Sequence, residues 1–271
     1  RVEYLPFIAT KLSDFDVVLD VPDVHADLQH FPQLCSYFYE FNLNDPKVAK
    51  ADVRKAIASL VSVTNIVNNE IPAAIPSSYF LPKAMLNGQD SRWEPVVAEQ
   101  LLVQNKINER HPLHLNVLYD ETPLHVNIAQ RLVGQLTQSD MLRVDAQPVS
   151  WQTLQAKGQK GDFQVIRSGW CADFNHPMAF LGLFYSKSPD NKNGYANAEY
   201  DQLFEQALKS LNEKERSEIY LKLSEKIQQE NLALPLFQYT TPVYLSPTIM
   251  GAKKNPVGVI YSKDLWRKVE S

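Results

Sequence analysis

Six histidines are the first candidates for chemistry in this sequence, because a neutral imidazole can serve as a general base or a metal ligand near pH 7. They stand at His25, His30, His111, His114, His125 and His176. None falls in an H-E-x-x-H or other compact ligand pattern, so no metal site is expected. The two cysteines, Cys35 and Cys171, form no C-x-x-C. Either both are free thiols or they close one long-range disulfide in an oxidising compartment, and sequence arithmetic alone does not choose. A free Cys171 served by His125 or His176 would make a thiol enzyme. No G-x-S-x-G or S-x-x-K is present, and carboxylates such as Glu109 and Asp120 have no spacing that separates them from solvated charges.

The most unusual local sequence runs from Arg167 to Asn175, Arg-Ser-Gly-Trp-Cys-Ala-Asp-Phe-Asn. Following a buried strand, Gly169 would permit a sharp exit, Trp170 offers a flat apolar surface and Asp173 sets a carboxylate beside it. That combination suits an ammonium group held against an aromatic wall. A purely structural role competes: Trp170 in the core, and Asp173 closing an Asx turn or capping a helix over 177–185.

The whole chain bounds these possibilities. It has 271 residues and a formal charge of −4, with 44% apolar and 21% charged residues, the balance of an ordinary globular protein of one large or two smaller domains. No stretch approaches the ~18 consecutive apolar residues of a membrane span. Scattered rather than clustered Lys and Arg give no footprint for nucleic acid. Nine glycines are roughly half the usual share, and neither G-x-G-x-x-G nor G-x-x-x-x-G-K-[ST] can be written, so no nucleotide cofactor is expected. The opening Arg1-Val2-Glu3-Tyr4-Leu5-Pro6 reads like the interior of a folded segment, as in a processed or excised chain.

The elements that must position such residues are legible as patterns. Residues 1–34 read as irregular. Ser36 to Phe41 is an aromatic-rich strand feeding a helix through Val53, Ile57, Leu60 and Val61, and 65–92 reads as loop before a helix starting near Glu94-Pro95. Alternating Leu113, Leu115, Val117 and Tyr119, a helical face from Val126 to Leu136, and a strand at Leu142 to Val144 form a βαβ unit. A short helix from Trp151 and a strand from Phe163 to Arg167 extend it, giving an α/β fold with a right-handed parallel sheet and flanking helices. Gly169 to Asn175 would then be a ligand-binding loop at a strand's C-terminal end. Two amphipathic helices follow, then an edge-like strand from Leu232 to Leu245 carrying Pro235 and Pro242.

The segment Gly169-Trp170-Cys171-Ala172-Asp173-Phe174-Asn175 resembles the G-W-C-A-D-[YF]-N signature of periplasmic oligopeptide-binding proteins, the receptors of peptide ABC importers. Leu34 to Asn42 is similar to that family's L-C-T-Y-Y-Y-E-[IF]-N, and Asp52-Val53-Arg54-Lys55-Ala56 to its D-V-R-x-R-x-A helix. Leu124-His125, Trp151, Arg167, Ala198-Glu199-Tyr200-Asp201 and Leu234 to Tyr239 follow in the family's order. The resemblance implies a type II periplasmic-binding-protein lobe over 35–240, with a mixed or parallel sheet. Segments 1–34 and 241–271 would return to an incomplete N-terminal lobe, since family members are about twice this length.

The resemblance also implies a monomeric, non-enzymatic receptor in the periplasm that delivers an oligopeptide to a membrane permease. Asp173 matches the aspartate that binds the peptide ammonium, and Trp170 and Trp151 match pocket-lining tryptophans. The backbone at Gly169 and Cys171 matches the edge that pairs with the peptide. Arg167 and His125 match basic positions that meet the ligand carboxylate, Tyr239 matches a lining tyrosine, and a further basic position falls at Gly158, beside Lys157. Cys35 and Cys171 lie in matched motifs, which implies their disulfide. Murein peptide, a cationic antimicrobial peptide or haem are alternative ligands on such a fold, and a Cys171 enzyme is the alternative of a different class.

Overall fold

Side chains alternate across a strand, and the aromatic run noted above uses that alternation to serve two cores at once. The computed structural model describes residues 12, 15–19, 21, 28–86, 97–253, 255, 257 and 259–268. The chain forms strands β1 (Val17–Leu19) and β2 (Leu28–Phe41), helices α1 (Ala51–Ser59) and α2 (Val63–Glu70), a two-residue strand β3 (Ile75–Pro76) and helix α3 (Ala98–Gln104). A βαβ unit follows: β4 (Leu113–Asp120), α4 (Pro123–Leu136) and β5 (Leu142–Val149). Helix α5 (Trp151–Lys160) and strand β6 (Val165–Cys171) extend it. Helices α6 (Met178–Leu181), α7 (Ala198–Lys209) and α8 (Glu213–Gln229) precede β7 (Ala233–Leu245), and β8 (Ile249–Met250) pairs with β9 (Trp266–Arg267).

On β2, Tyr37, Tyr39 and Phe41 enter a core with Ile57 of α1, Ile66 of α2, Leu102 of α3 and Leu132 of α4. Leu34 and Phe38 enter a second core, on the other face, with Phe180 of α6, Phe204 of α7 and Leu223 of α8. Helices therefore cover both faces of one seven-stranded sheet, ordered β1-β7-β2-β6-β4-β5 with β3 also on β7. A buried arginine on α1 ties the layers together. Arg54 donates to the carbonyls of Val48 and Ala49 before its own helix and to those of Glu230 and Asn231 at the C-terminal end of α8, where a cation also meets the negative end of the helix dipole.

The sheet is mixed rather than parallel throughout. β4 runs parallel to β5 and β6, whereas β2 is antiparallel to both β6 and β7. Four local expectations change with it. Residues 1–34 are not wholly irregular: β1 lies within them and β2 begins at Leu28, drawn out by pairing of Leu28 to Pro32 with β7. The span 65–92 contains most of α2 as well as β3, because Ile66 and Val67 bury themselves despite the surrounding Asn residues. Residues 87–92 and the expected helix start at Glu94-Pro95 lie outside the described residues. β6 does not stop at Arg167, since β2 offers it a partner as far as Cys171. β7 is interior, flanked by β2 on one side and β1 and β3 on the other. Its prolines are tolerated because Pro235 sits at a register shift against Tyr37 and Phe38, and Pro242 lies one residue beyond the last β1 pair, Leu19 with Val243. No described helix is long and apolar enough to cross a membrane.

Candidate functional site

The site grows from the turn at the C-terminal end of β4. Thr122 is the N-cap of α4 and Pro123 its first residue, a position where a missing N–H costs nothing. This turn folds His125 back onto Asp120, the last residue of β4. Nδ1 of His125 lies 2.6 Å from Asp120 Oδ2, to which the Thr122 hydroxyl also donates at 3.0 Å. The other ring nitrogen, Nε2, is 2.9 Å from Nη2 of Arg167 on β6. A guanidinium can only donate, so Nε2 accepts and the imidazole is neutral with its proton on Nδ1, donated to Asp120. Nη1 of Arg167 is 3.4 Å from Asp120 Oδ1, and Nη2 donates to the Tyr239 hydroxyl at 3.4 Å. The guanidinium carbon stands 4.9 Å from the Tyr37 ring centroid and 5.7 Å from that of Trp151. Ser150 caps α5 through the Thr153 amide and so starts that helix at Trp151.

Burial and charge set the proton positions. Asp120 is 2% exposed and Arg167 8%. Burial alone would lift the Asp120 carboxyl, but the bonds from His125 and Thr122 and the charge of Arg167 outweigh it and hold it below the usual range. Burial, reinforced by Arg167, pushes His125 down against the opposing pull of Asp120. Burial raises the phenols of Tyr37 and Tyr239. Asp120 Oδ1 and Arg167 Nε are buried and make no hydrogen bond among the described residues.

Of the residues singled out in the sequence, Arg167, His125, Tyr239 and Trp151 are brought together. Trp170 is not among them. It alternates to the opposite face of β6 and packs against the core beneath α6–α8, with its Nε1 buried and making no hydrogen bond among the described residues. Gly169 is no exit from the strand: it is paired with Tyr37 in mid-ladder. Asp120, read in the sequence as indistinguishable from a solvated charge, is the buried hub. Its signal was its place at the end of an alternating strand, just before a Thr-Pro helix start. Tyr37 was legible only as an aromatic in a strand.

The backbone of β6 adds a second feature. The Ala172 amide donates to Leu34 O at 2.8 Å, so by the alternation of an antiparallel ladder Trp170 and Ser168 also direct their N–H and C=O groups at β2. Gly169 and Cys171, both exposed, direct theirs the opposite way. On that side β4 pairs only with Val165 and Ile166, and the edge beyond is unpaired in the described residues. Just past it stands Asp173, exposed and without a side-chain partner among the described residues. It does not take the structural role that competed for it: α6 begins after Pro177, and the Met178 amide is met by His176 Nδ1 instead.

Cys171 is bonded to Cys35, directly opposite on β2. This overturns the thiol-enzyme alternative, since no thiolate is left to attack a substrate. No group of three or more His, Cys, Asp or Glu side chains able to hold a metal occurs among the described residues.

A mixed sheet with helices on both faces is the fold of a type II periplasmic-binding-protein lobe. The chain belongs to the bacterial extracellular solute-binding proteins, family 5, whose middle region matches residues 7–192. A Haemophilus influenzae protein described as a binding protein is 62% identical over 264 residues, covering 97% of this chain and 51% of that protein. The periplasmic oligopeptide-binding protein OppA of Salmonella typhimurium is 28% identical over 249 residues, 87% of this chain and 45% of OppA. Among solved structures, the unliganded open form of the periplasmic murein tripeptide binding protein MppA superposes with a TM-score of 0.86 at 25% identity, covering 94% of this chain and 53% of MppA. The chain thus spans about half the length of the curated relatives it matches.

Proposed function

We propose that this chain is the C-terminal ligand-binding portion of a peptide receptor, the substrate-binding component of an ABC importer. In this reading it works in the periplasm and hands peptides to a membrane permease without chemistry on them. The division into a lobe over 35–240 and segments 1–34 and 241–271 returning to the other lobe belongs to the same reading. The observation that carries it is the unpaired edge of β6 at Gly169 and Cys171. An extended peptide adds a strand to such an edge through main-chain hydrogen bonds, which ask nothing of its side chains. Asp173 receives the peptide ammonium, Arg167 and His125 receive its carboxylate, and Trp151 and Tyr239 line side-chain space. Trp170 supports the edge from behind. The names of OppA and MppA, as oligopeptide- and murein tripeptide-binding proteins, support a peptide as the ligand. Likeness to MppA makes a murein-type tripeptide the narrower candidate.

Amide NMR during titration with trialanine tests this directly. The Gly169 and Cys171 amides should shift with peptide, together with Asp173, while Ser168 and Trp170, which face β2, stay nearly still. Shifts confined to other strands would overturn the reading. A murein tripeptide run in parallel decides the narrower candidate, which requires it to bind more tightly than trialanine.

A further inference from the structure

The cluster of Asp120, His125 and Arg167 is electrically neutral as it stands, with one carboxylate, one guanidinium and an imidazole kept uncharged by the donor at its Nε2. A ligand carboxylate arriving here brings a second negative charge into a buried place, which is strongly unfavourable without a matching positive one. The groups facing His125 and Arg167 are Asp120 and Thr122 from the β4–α4 turn, Tyr37 and Tyr39 from β2 and Tyr239 from β7. Within this set, His125 is the group able to gain a positive charge near neutral pH.

Geometry couples that gain to the ligand. In the ligand-free site Nη2 of Arg167 occupies the Nε2 lone pair of His125. The guanidinium carbon stands 4.9 Å from the Tyr37 ring centroid and 5.7 Å from that of Trp151, so a turn of the guanidinium about that carbon keeps both distances. Turning Nη2 and the unpartnered Nε onto a carboxylate releases Nε2, while Nδ1–H stays on Asp120. Resting on the peptide reading above, we propose that capture of a carboxylate at Arg167 is coupled to uptake of one proton from solvent by His125 Nε2. The proton returns to solvent when the ligand leaves. The site therefore selects a carboxylate over a carboxamide, and does so more strongly as pH falls. The depression of His125 in the ligand-free site is relieved when Arg167 turns away and a second carboxylate arrives.

Acetate and acetamide are probes small enough to report on this lobe alone. With ionic strength held by chloride, the imidazole resonances of His125 and the Nε–H of Arg167 are followed from pH 5 to 8. Acetate should shift Arg167 and raise the His125 midpoint by about 1 pH unit or more, and acetamide should do neither. Acetate affinity should climb toward the one-proton limit of about tenfold per pH unit as pH falls. In His125→Gln it should lose that slope. If Arg167 responds to acetate while His125 titrates unchanged, the proton coupling is wrong and carboxylate capture stands. If Arg167 responds neither to acetate nor to trialanine, both the coupling and the carboxylate role of this cluster are wrong.

Discussion

Cys35 and Cys171 are direct cross-strand partners on β2 and β6, joined sulfur to sulfur across a sequence separation of 136. Closing so long a loop restricts the unfolded chain by about 4–5 kcal/mol in the chain-entropy model. Reduction, or the double substitution Cys35→Ala/Cys171→Ala, should lower the denaturation free energy by a comparable amount. Two titratable thiols in the denatured, unreduced protein would contradict the bond.

Asp120 should matter to the fold more than Asp173 does. Asp120→Asn leaves the buried Arg167 guanidinium without its counter-charge, a loss that typically costs about 3–5 kcal/mol. Urea denaturation should show this, and a loss below about 1 kcal/mol would mean that water or another group compensates Arg167.

Asp173→Asn should change stability by less than about 0.5 kcal/mol, as expected at an exposed position with no partner among the described residues. In a peptide-competent form of the protein it should weaken free peptides by about 30- to several-thousand-fold, the loss that follows truncating one member of an enclosed charge pair. Acetylating the peptide N-terminus should weaken wild type similarly and the variant little further. Calorimetry with the four combinations decides, and equal binding of free and acetylated peptide by wild type removes Asp173 from the site.

Glu40 is buried on β2, and burial raises its carboxyl above the ordinary 4.5 against weaker opposing pulls from Ser168 and Lys192. A raised folded-state value means the folded chain holds the proton more tightly, so stability is full below about pH 4.5 and falls as pH rises through the folded value. Glu40→Gln removes that loss. It should stabilise the protein by on the order of 1 kcal/mol at pH 7 and not at pH 4, as thermal melts at the two values would show.

Arg54→Met should cost about 3–5 kcal/mol, because it strands the buried Val48 carbonyl and the partly buried carbonyls of Ala49, Glu230 and Asn231, in two segments at once. Arg54→Lys should recover part of this, since an ammonium can reach some but not all of them. A neutral Arg54→Met would show the carbonyls to be hydrated.

Much of this was written in local pattern. The βαβ unit from Leu113 to Val149 announces itself through alternation and helical spacing, because each element buries one face on its sequence neighbours. What escaped was settled between distant segments. Nothing near Gly169 says that β6 continues, since the partner that prolongs it is β2. Pro235 and Pro242 suggest an edge, and only the register of β2 and β1 shows why an interior strand accommodates them. In the site, motif likeness found Arg167 and His125, whereas Asp120 became visible once the turn after β4 placed it under the imidazole. Trp170 is marked by the same motif likeness as well as by its type, and the parity of the strand sets it on the face opposite Arg167.

The position of β2 also fixes the order in which the molecule can be made. Tyr37 pairs with Gly169 on one side and with Phe237 on the other, so this aromatic strand is synthesised long before either neighbour exists. Until then Tyr37, Phe38, Tyr39 and Phe41 are apolar surface with unpaired backbone, the kind of segment that associates between chains. The loops to be closed are long, which slows folding. Refolding yield should therefore fall with protein concentration, and an Arg or Lys introduced at Ser36 should relieve that fall at the cost of native stability.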